Sequence, residues 1–157
     1  GEHWMIFVGL MNGRPYEVFG GRSDDVRVGR VESGRIVKRM LKRATKYDLY
    51  YTTAKTQDEN VIRDIIGTFD DPDKGAFTRL LSLALRQGTP IDQLVKQLQK
   101  DKDADLSSFA KVVSRVLKRY IKNGTHVGQA CSACGADSLS YQEGCISCMS
   151  CGVSVCG

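Results

Sequence analysis

The chain has no cysteine before Cys131, and then all six of its cysteines fall between Cys131 and Cys156. It also has no apolar run near the ~20 residues that a membrane-spanning helix needs, and no signal peptide at its start. Six clustered thiols without a secretory signal point to a reducing, cytoplasmic setting. No charge of one sign dominates. The net charge of +5 permits an anionic partner without requiring one. What remains is ordinary for a globular protein, 41% apolar and 26% charged over 157 residues, which is enough to bury a core.

The cysteine-rich end reads CSACGADSLSYQEGCISCMSCGVSVCG. Two units share one pattern, Cys131-Ser-Ala-Cys134-Gly135 and Cys148-Met-Ser-Cys151-Gly152. A Cys-x-x-Cys-Gly turn aims two sulfurs at one ion, and the glycine relieves the backbone where the turn closes. Two such knuckles supply Cys131, Cys134, Cys148 and Cys151, the four thiolates of a tetrahedral structural zinc site. A disulfide scaffold is the plainer alternative. Cys145 and Cys156 are left over and suit thiol–disulfide exchange, with Gly152 and Gly157 flanking a tail free to move. A folded-back tail would bring them within disulfide reach. Two other readings stay open. Cys145 can be a buried small hydrophobe. Alternatively, Cys145 and Cys148 make a second Cys-x-x-Cys, which leaves Cys151 and Cys156 as the exchanging pair. His126 could stand in for a thiolate, but four better-spaced sulfurs leave it little to do.

Upstream, the pattern is α+β. Trp4–Val8 and Tyr16–Phe19 predict a hairpin around Asn12-Gly13, with Pro15 at a strand start or edge and Gly20-Gly21 ending the run. No helix start follows those glycines, which argues against a phosphate loop. Val26, Val28 and Val31 precede an expected turn at Glu32-Ser33-Gly34. Arg35–Arg43 and Tyr47–Thr53 then read as a second hairpin, with Lys46 between them. Arg35, Lys38, Arg39, Lys42 and Arg43 lie near Tyr47, Tyr50 and Tyr51. Such interleaving can bind nucleic acid, though it is more often the solvated face of a sheet.

After Phe69 the period becomes helical. Asp70-Asp71-Pro72 starts a helix with the stripe Phe77, Leu80, Leu81, Ala84 and Leu85, and Gly88 closes it. Thr89-Pro90 starts a second, with Ile91, Leu94, Val95 and Leu98 on one face. Asp101-Lys102-Asp103 is a loop. A third helix carries Phe109, Val112, Val113, Val116, Leu117, Tyr120 and Ile121, with Asn123-Gly124 at its end. The predicted fold is an antiparallel sheet (1–66) with about three helices (70–124) on one face, forming an α+β domain over 1–125. A zinc ribbon with a redox tail follows over 126–157, joined through His126–Gln129.

Three motifs in order, GLMNGRPYEVFGG, RLLSLALRQGTPIDQLVKQL and YQEGCISCMSCGVSVCG, resemble the C-terminal region of adenosylcobalamin-dependent ribonucleotide reductase. That resemblance implies an oxidoreductase supplying deoxyribonucleotides for DNA replication by radical reduction of the ribose 2′-hydroxyl. It implies an active-site cysteine pair oxidised each turnover, re-reduced by a C-terminal pair and then by thioredoxin. The expected partners are the catalytic barrel of the reductase and a thioredoxin-like reductant, with no membrane. The barrel and its cobalamin site are not in this sequence, so the chain is expected to be a fragment or accessory domain, inactive alone. The competing function is a nucleic-acid-binding zinc ribbon. Against it, Ser132, Ala133, Met149, Ser150, Val153 and Ser154 around the knuckles offer neither cation nor stacking ring.

Overall fold

The computed structural model describes residues 2–101 and 103–156. Lys102 of the expected loop and Gly157 of the expected tail lie outside the described residues. The chain is mixed α+β and divides into two compact units, one ending at Gly88 and one beginning at Thr89.

The first unit opens with the expected hairpin, β1 (Trp4–Met11) against β2 (Arg14–Arg22), turning through Asn12 and Gly13 at positive φ. Gly20 and Gly21 do not end β2; they are buried inside it. The reason is steric. A Cβ on Gly21 would lie 2.5 Å from the Phe69 ring, so the aromatic packs flat on bare backbone. Gly21→Ala is therefore expected to cost about 1–3 kcal/mol by overpacking. Urea denaturation of the full chain measures it, and an unchanged midpoint would show that Phe69 can move aside.

A second sheet orders β3 (Val31–Met40), β4 (Thr45–Thr53) and β5 (Thr56–Ile62), all antiparallel. The turn expected at Glu32-Ser33-Gly34 is absent. β3 runs through it with a register irregularity between Val31 and Ser33. Gly34 serves a close crossing instead, since a Cβ there would sit 3.3 Å from the Tyr50 carbonyl oxygen. The reversal comes later, where the Leu41 N–H donates to the Ala44 carbonyl at 2.8 Å, and Lys46 lies within β4.

Phe19, Val26, Leu49, Ile65 and Phe69 form this unit's core. Ile65 belongs to the short helix α1 (Ile65–Thr68), which hydrophobic periodicity over four residues could not announce. Helix α2 (Pro72–Arg86) begins as its sequence indicates, with the Asp71 carboxylate accepting from the Lys74 N–H at 3.0 Å. Its buried face is Thr78, Leu81, Ser82 and Leu85, whereas Leu80 of the expected stripe is 69% exposed. The face is rotated because Ser82 serves β2. Its hydroxyl accepts from the Val18 N–H (2.9 Å) and donates to the Val18 carbonyl (3.2 Å).

In place of the single expected sheet, the described residues of this unit form two separate antiparallel sheets; the three helices expected over 70–124 all form, one here and two in the second unit. The second unit contains α3 (Ile91–Leu98), α4 (Phe109–Lys118) and a three-stranded sheet, β6 (Leu139–Gln142), β7 (Cys145–Cys148) and β8 (Ser154–Val155). Val95, Val113, Leu117 and Tyr141 are among its most buried side chains. The stretch read as a linker is partly a strand partner of β6. Val127 N–H donates to the Leu139 carbonyl (2.9 Å), and Tyr141 N–H to that of Thr125 (2.9 Å). The α4 helix stops at Lys118, yet Ile121 beyond it stays buried at 6% exposure. None of the described helices is long and apolar enough to cross a membrane.

Candidate metal centre and neighbouring disulfide

The two knuckles fold alike. In the first, Gly135 N–H donates to the Cys131 carbonyl (2.7 Å) and Cys131 N–H to the Ala136 carbonyl (2.9 Å). In the second, Gly152 N–H donates to the Cys148 carbonyl (2.9 Å) and Cys148 N–H to the Val153 carbonyl (2.8 Å). Gly135 and Gly152 hold φ of 75° and 78°, which a side chain would strain. The leading cysteine of each knuckle is buried and the trailing one exposed.

A tight hairpin brings the knuckles together. Glu143 and Gly144 both have positive φ, as a two-residue turn between right-twisted strands requires, and Gln142 then faces Cys145 across the pair. Asn123 clamps the turn, donating to the Glu143 carboxylate (2.6 Å) and accepting from the Glu143 N–H (2.8 Å).

The sulfurs of Cys131, Cys134, Cys148 and Cys151 all lie within 4.8 Å of one another. Cys131 Sγ is 3.8 Å from Cys151 Sγ, and Cys134 Sγ is 3.7 Å from Cys148 Sγ. Such a group could bind a metal ion. Their proton affinities are pulled apart. The Ser138 hydroxyl, 3.2 Å away, and the N–H groups of Cys151 and Ser150 draw the Cys148 thiol down to about 6. At Cys134 the Ala136 N–H favours the thiolate, but the Cys151 thiol, burial and the other two thiols outweigh it and push the group up to about 12. Four thiolates this close need a cation to coexist. Ser138 was not legible beforehand, because nothing in the spacing marks a serine hydroxyl as a sulfur's partner.

Cys145 and Cys156 are joined by a disulfide, Cα to Cα 4.4 Å. The register explains it. Ile146 faces Val155 and Ser147 faces Ser154, so one step further puts Cys145 opposite Cys156. A separation near 4.5 Å marks the closer, non-hydrogen-bonded kind of antiparallel pair. Cys156 is exposed and Cys145 half-buried. His126 stands outside the cluster, with Nε2 3.2 Å from the Asp137 carboxylate and Nδ1 accepting from the Gly128 N–H.

Two cations of the basic stretch, Arg35 and Arg39, are held in internal pairs. Arg35 binds Glu59 and stacks 4.3 Å above the Tyr50 ring. Arg39 and Arg63 both hold the fully buried Asp48 carboxylate, at 2.5 and 2.8 Å. The Arg39 hydrogen bond is the strongest influence keeping Asp48 well below the usual carboxylate range.

The described residues thus form an α+β chain whose C-terminal end carries four close thiols able to bind a metal ion and a neighbouring disulfide. The chain matches the family described as NrdJ homologue C-terminal domain over residues 1–122 and belongs to it, which makes it the C-terminal region of a ribonucleotide reductase related to NrdJ. The matched stretch stops short of the cysteines. No curated protein and no solved structure matches the chain.

Proposed function

We propose that the chain is the redox arm of an adenosylcobalamin-dependent ribonucleoside-diphosphate reductase. Cys131, Cys134, Cys148 and Cys151 hold one zinc ion, which folds a ribbon. Cys145 and Cys156 carry electrons from a thioredoxin-like reductant to the disulfide formed in the catalytic barrel at each turnover. The setting is cytoplasmic.

The observation that carries this reading is the division of six sulfurs into four and two. A zinc–sulfur bond of about 2.3 Å gives a tetrahedron with edges of about 3.8 Å, against the 3.8 and 3.7 Å of the two measured sulfur pairs. Zinc chemistry here is structural, with all four positions taken by protein. The residues that remain form a pair able to alternate between disulfide and dithiol.

The exchange conserves electrons. A thiolate of the reduced pair attacks one sulfur of the barrel disulfide, and the second thiol resolves the mixed disulfide. The barrel then holds two thiols and the arm a Cys145–Cys156 disulfide, with two electrons and two protons passed on. Thioredoxin dithiol reverses the arm's oxidation in the same way. Reduction also loosens the tail. The disulfide closes a loop with a sequence separation of 11, worth about 3 kcal/mol, while β8 is only two residues long and exposed. Once the bond opens, little besides two residue pairs holds the tail to the ribbon.

Adenosylcobalamin is expected to be held by the rest of the reductase and not by this chain. The isolated chain should form no deoxynucleotide, yet act as a thioredoxin substrate. With thioredoxin, its reductase and NADPH, the oxidised chain is expected to consume one NADPH per chain. No consumption, or an unchanged value in Cys156→Ser, would overturn the assignment.

A further inference from the structure

Among the described residues of the first unit, every strand edge is guarded except one. β2 is occupied at its outer edge, where Ser82 takes both backbone groups of Val18. β3 carries Arg35, Lys38 and Arg39, and β5 carries Asp58 and Glu59. Charges and covering elements are how sheets avoid adding foreign strands. β1 has neither: it reads WMIFVGLM, without a charge or a proline. A strand apolar on both faces is normally covered on both, yet no β1 side chain is fully buried, and Leu10 and Met11 are 50% and 53% exposed.

The hydrogen-bond phase shows which backbone groups point outward. Opposed residues in an antiparallel pair alternate between bonded and unbonded. Val18 faces Val8 and gives its N–H and carbonyl to Ser82, so the N–H and carbonyl of Val8 point away from β2. The Ser23 N–H bonding the His3 carbonyl at 2.9 Å sets the same phase independently. By the period of two, Ile6 points outward with Val8. Both border a groove of about 890 Å³, which runs along β1 from Met5 to Met11 and is walled opposite by β3. Three cations line it, Arg35, Lys38 and Arg86, against one carboxylate, Glu17. Arg86 is paired with Glu17 and Arg35 with Glu59.

We propose that this groove is a strand-addition site, where an extended acidic polypeptide segment pairs its backbone with Ile6 and Val8 and turns a carboxylate toward Lys38, the lining cation not already paired with a carboxylate among the described residues. Backbone bonding supplies the affinity, and alternate side chains meeting the apolar and basic walls supply the selectivity. A second copy's β1 is the wrong occupant, because it brings no carboxylate to the basic wall.

The test uses the full chain and a fluorescein-labelled octapeptide alternating valine and glutamate, followed by anisotropy. Saturable binding is expected. It should weaken about tenfold or more when the alternate backbone nitrogens on the pairing edge are methylated, and likewise when lysine replaces glutamate. Val8→Pro removes an outward N–H without touching the β1–β2 ladder, so it should keep the fold and lose about tenfold in affinity. Should Val8→Pro fail to fold, Lys38→Glu, at an exposed position, still must weaken the glutamate peptide and favour the lysine one. No saturable binding, equal binding by the methylated peptide, or indifference to Lys38→Glu would each overturn the proposal. Self-association of the chain that Val8→Pro abolishes, with no peptide binding, would overturn it in favour of a second copy.

Discussion

Cys148→Ser is expected to abolish zinc binding and unfold the second half of the ribbon. Cys148 is 2% exposed and lies 3.2 Å from the Ser138 hydroxyl, and its thiol is drawn down to about 6. Serine keeps the shape but loses the soft ligand, and a structural zinc site with three thiolates is incomplete. Because the binding energy of such an ion is largely folding energy, on the order of 10 kcal/mol or more in small zinc modules, the loss is not graded. Metal analysis of protein purified without added zinc should fall from one ion per chain to none. Protease sensitivity should appear after about residue 130, while α2 and the β1–β2 hairpin of the first unit stay protected. A chelator should reproduce the effect in the unaltered chain. Full zinc content in Cys148→Ser would mean that Cys148 is not a ligand.

The second large effect concerns the reductase that carries this domain. Cys156→Ser and Cys145→Ser should each eliminate turnover driven by thioredoxin and leave turnover driven by a small dithiol close to normal. The physical reason is access. Under the proposed relay a small dithiol would reach the barrel disulfide directly, whereas a protein reductant would need an exchanging thiol at the surface, and Cys156 is the exposed member of the pair. Zinc content should not change in either variant. That separates these substitutions from Cys148→Ser, whose effect passes through the fold. If Cys145→Ser turns over normally with thioredoxin while Cys156→Ser does not, the exchanging pair is Cys151 with Cys156.

The parts of this protein legible in advance are those set by local chemistry. Asp71-Pro72 marks a helix start because an N-cap and a first-turn proline each have one physical use there. Asn12-Gly13 marks a hairpin because few residues accept positive φ. The paired Cys-x-x-Cys-Gly units were legible for the same reason. What could not be read depends on partners distant in the chain. Gly21 and Gly34 look like punctuation, and their actual use, close approach by Phe69 and by the Tyr50 carbonyl, is visible only after the strands are paired. Leu80 fits a helical stripe, but which face is buried was decided by Ser82 bonding Val18, 64 residues away. Ser138 beside Cys148 is of the same kind.

The central claim is the division of the six sulfurs, and one measurement addresses it directly. The zinc-loaded chain is reduced with thioredoxin, alkylated without denaturation, and its modified cysteines are located by mass spectrometry with zinc counted in the same sample. The account predicts label at Cys145 and Cys156 only, with one zinc retained. Label at Cys151 and Cys156 with Cys145 protected, or label spread over all six with zinc released, would contradict it.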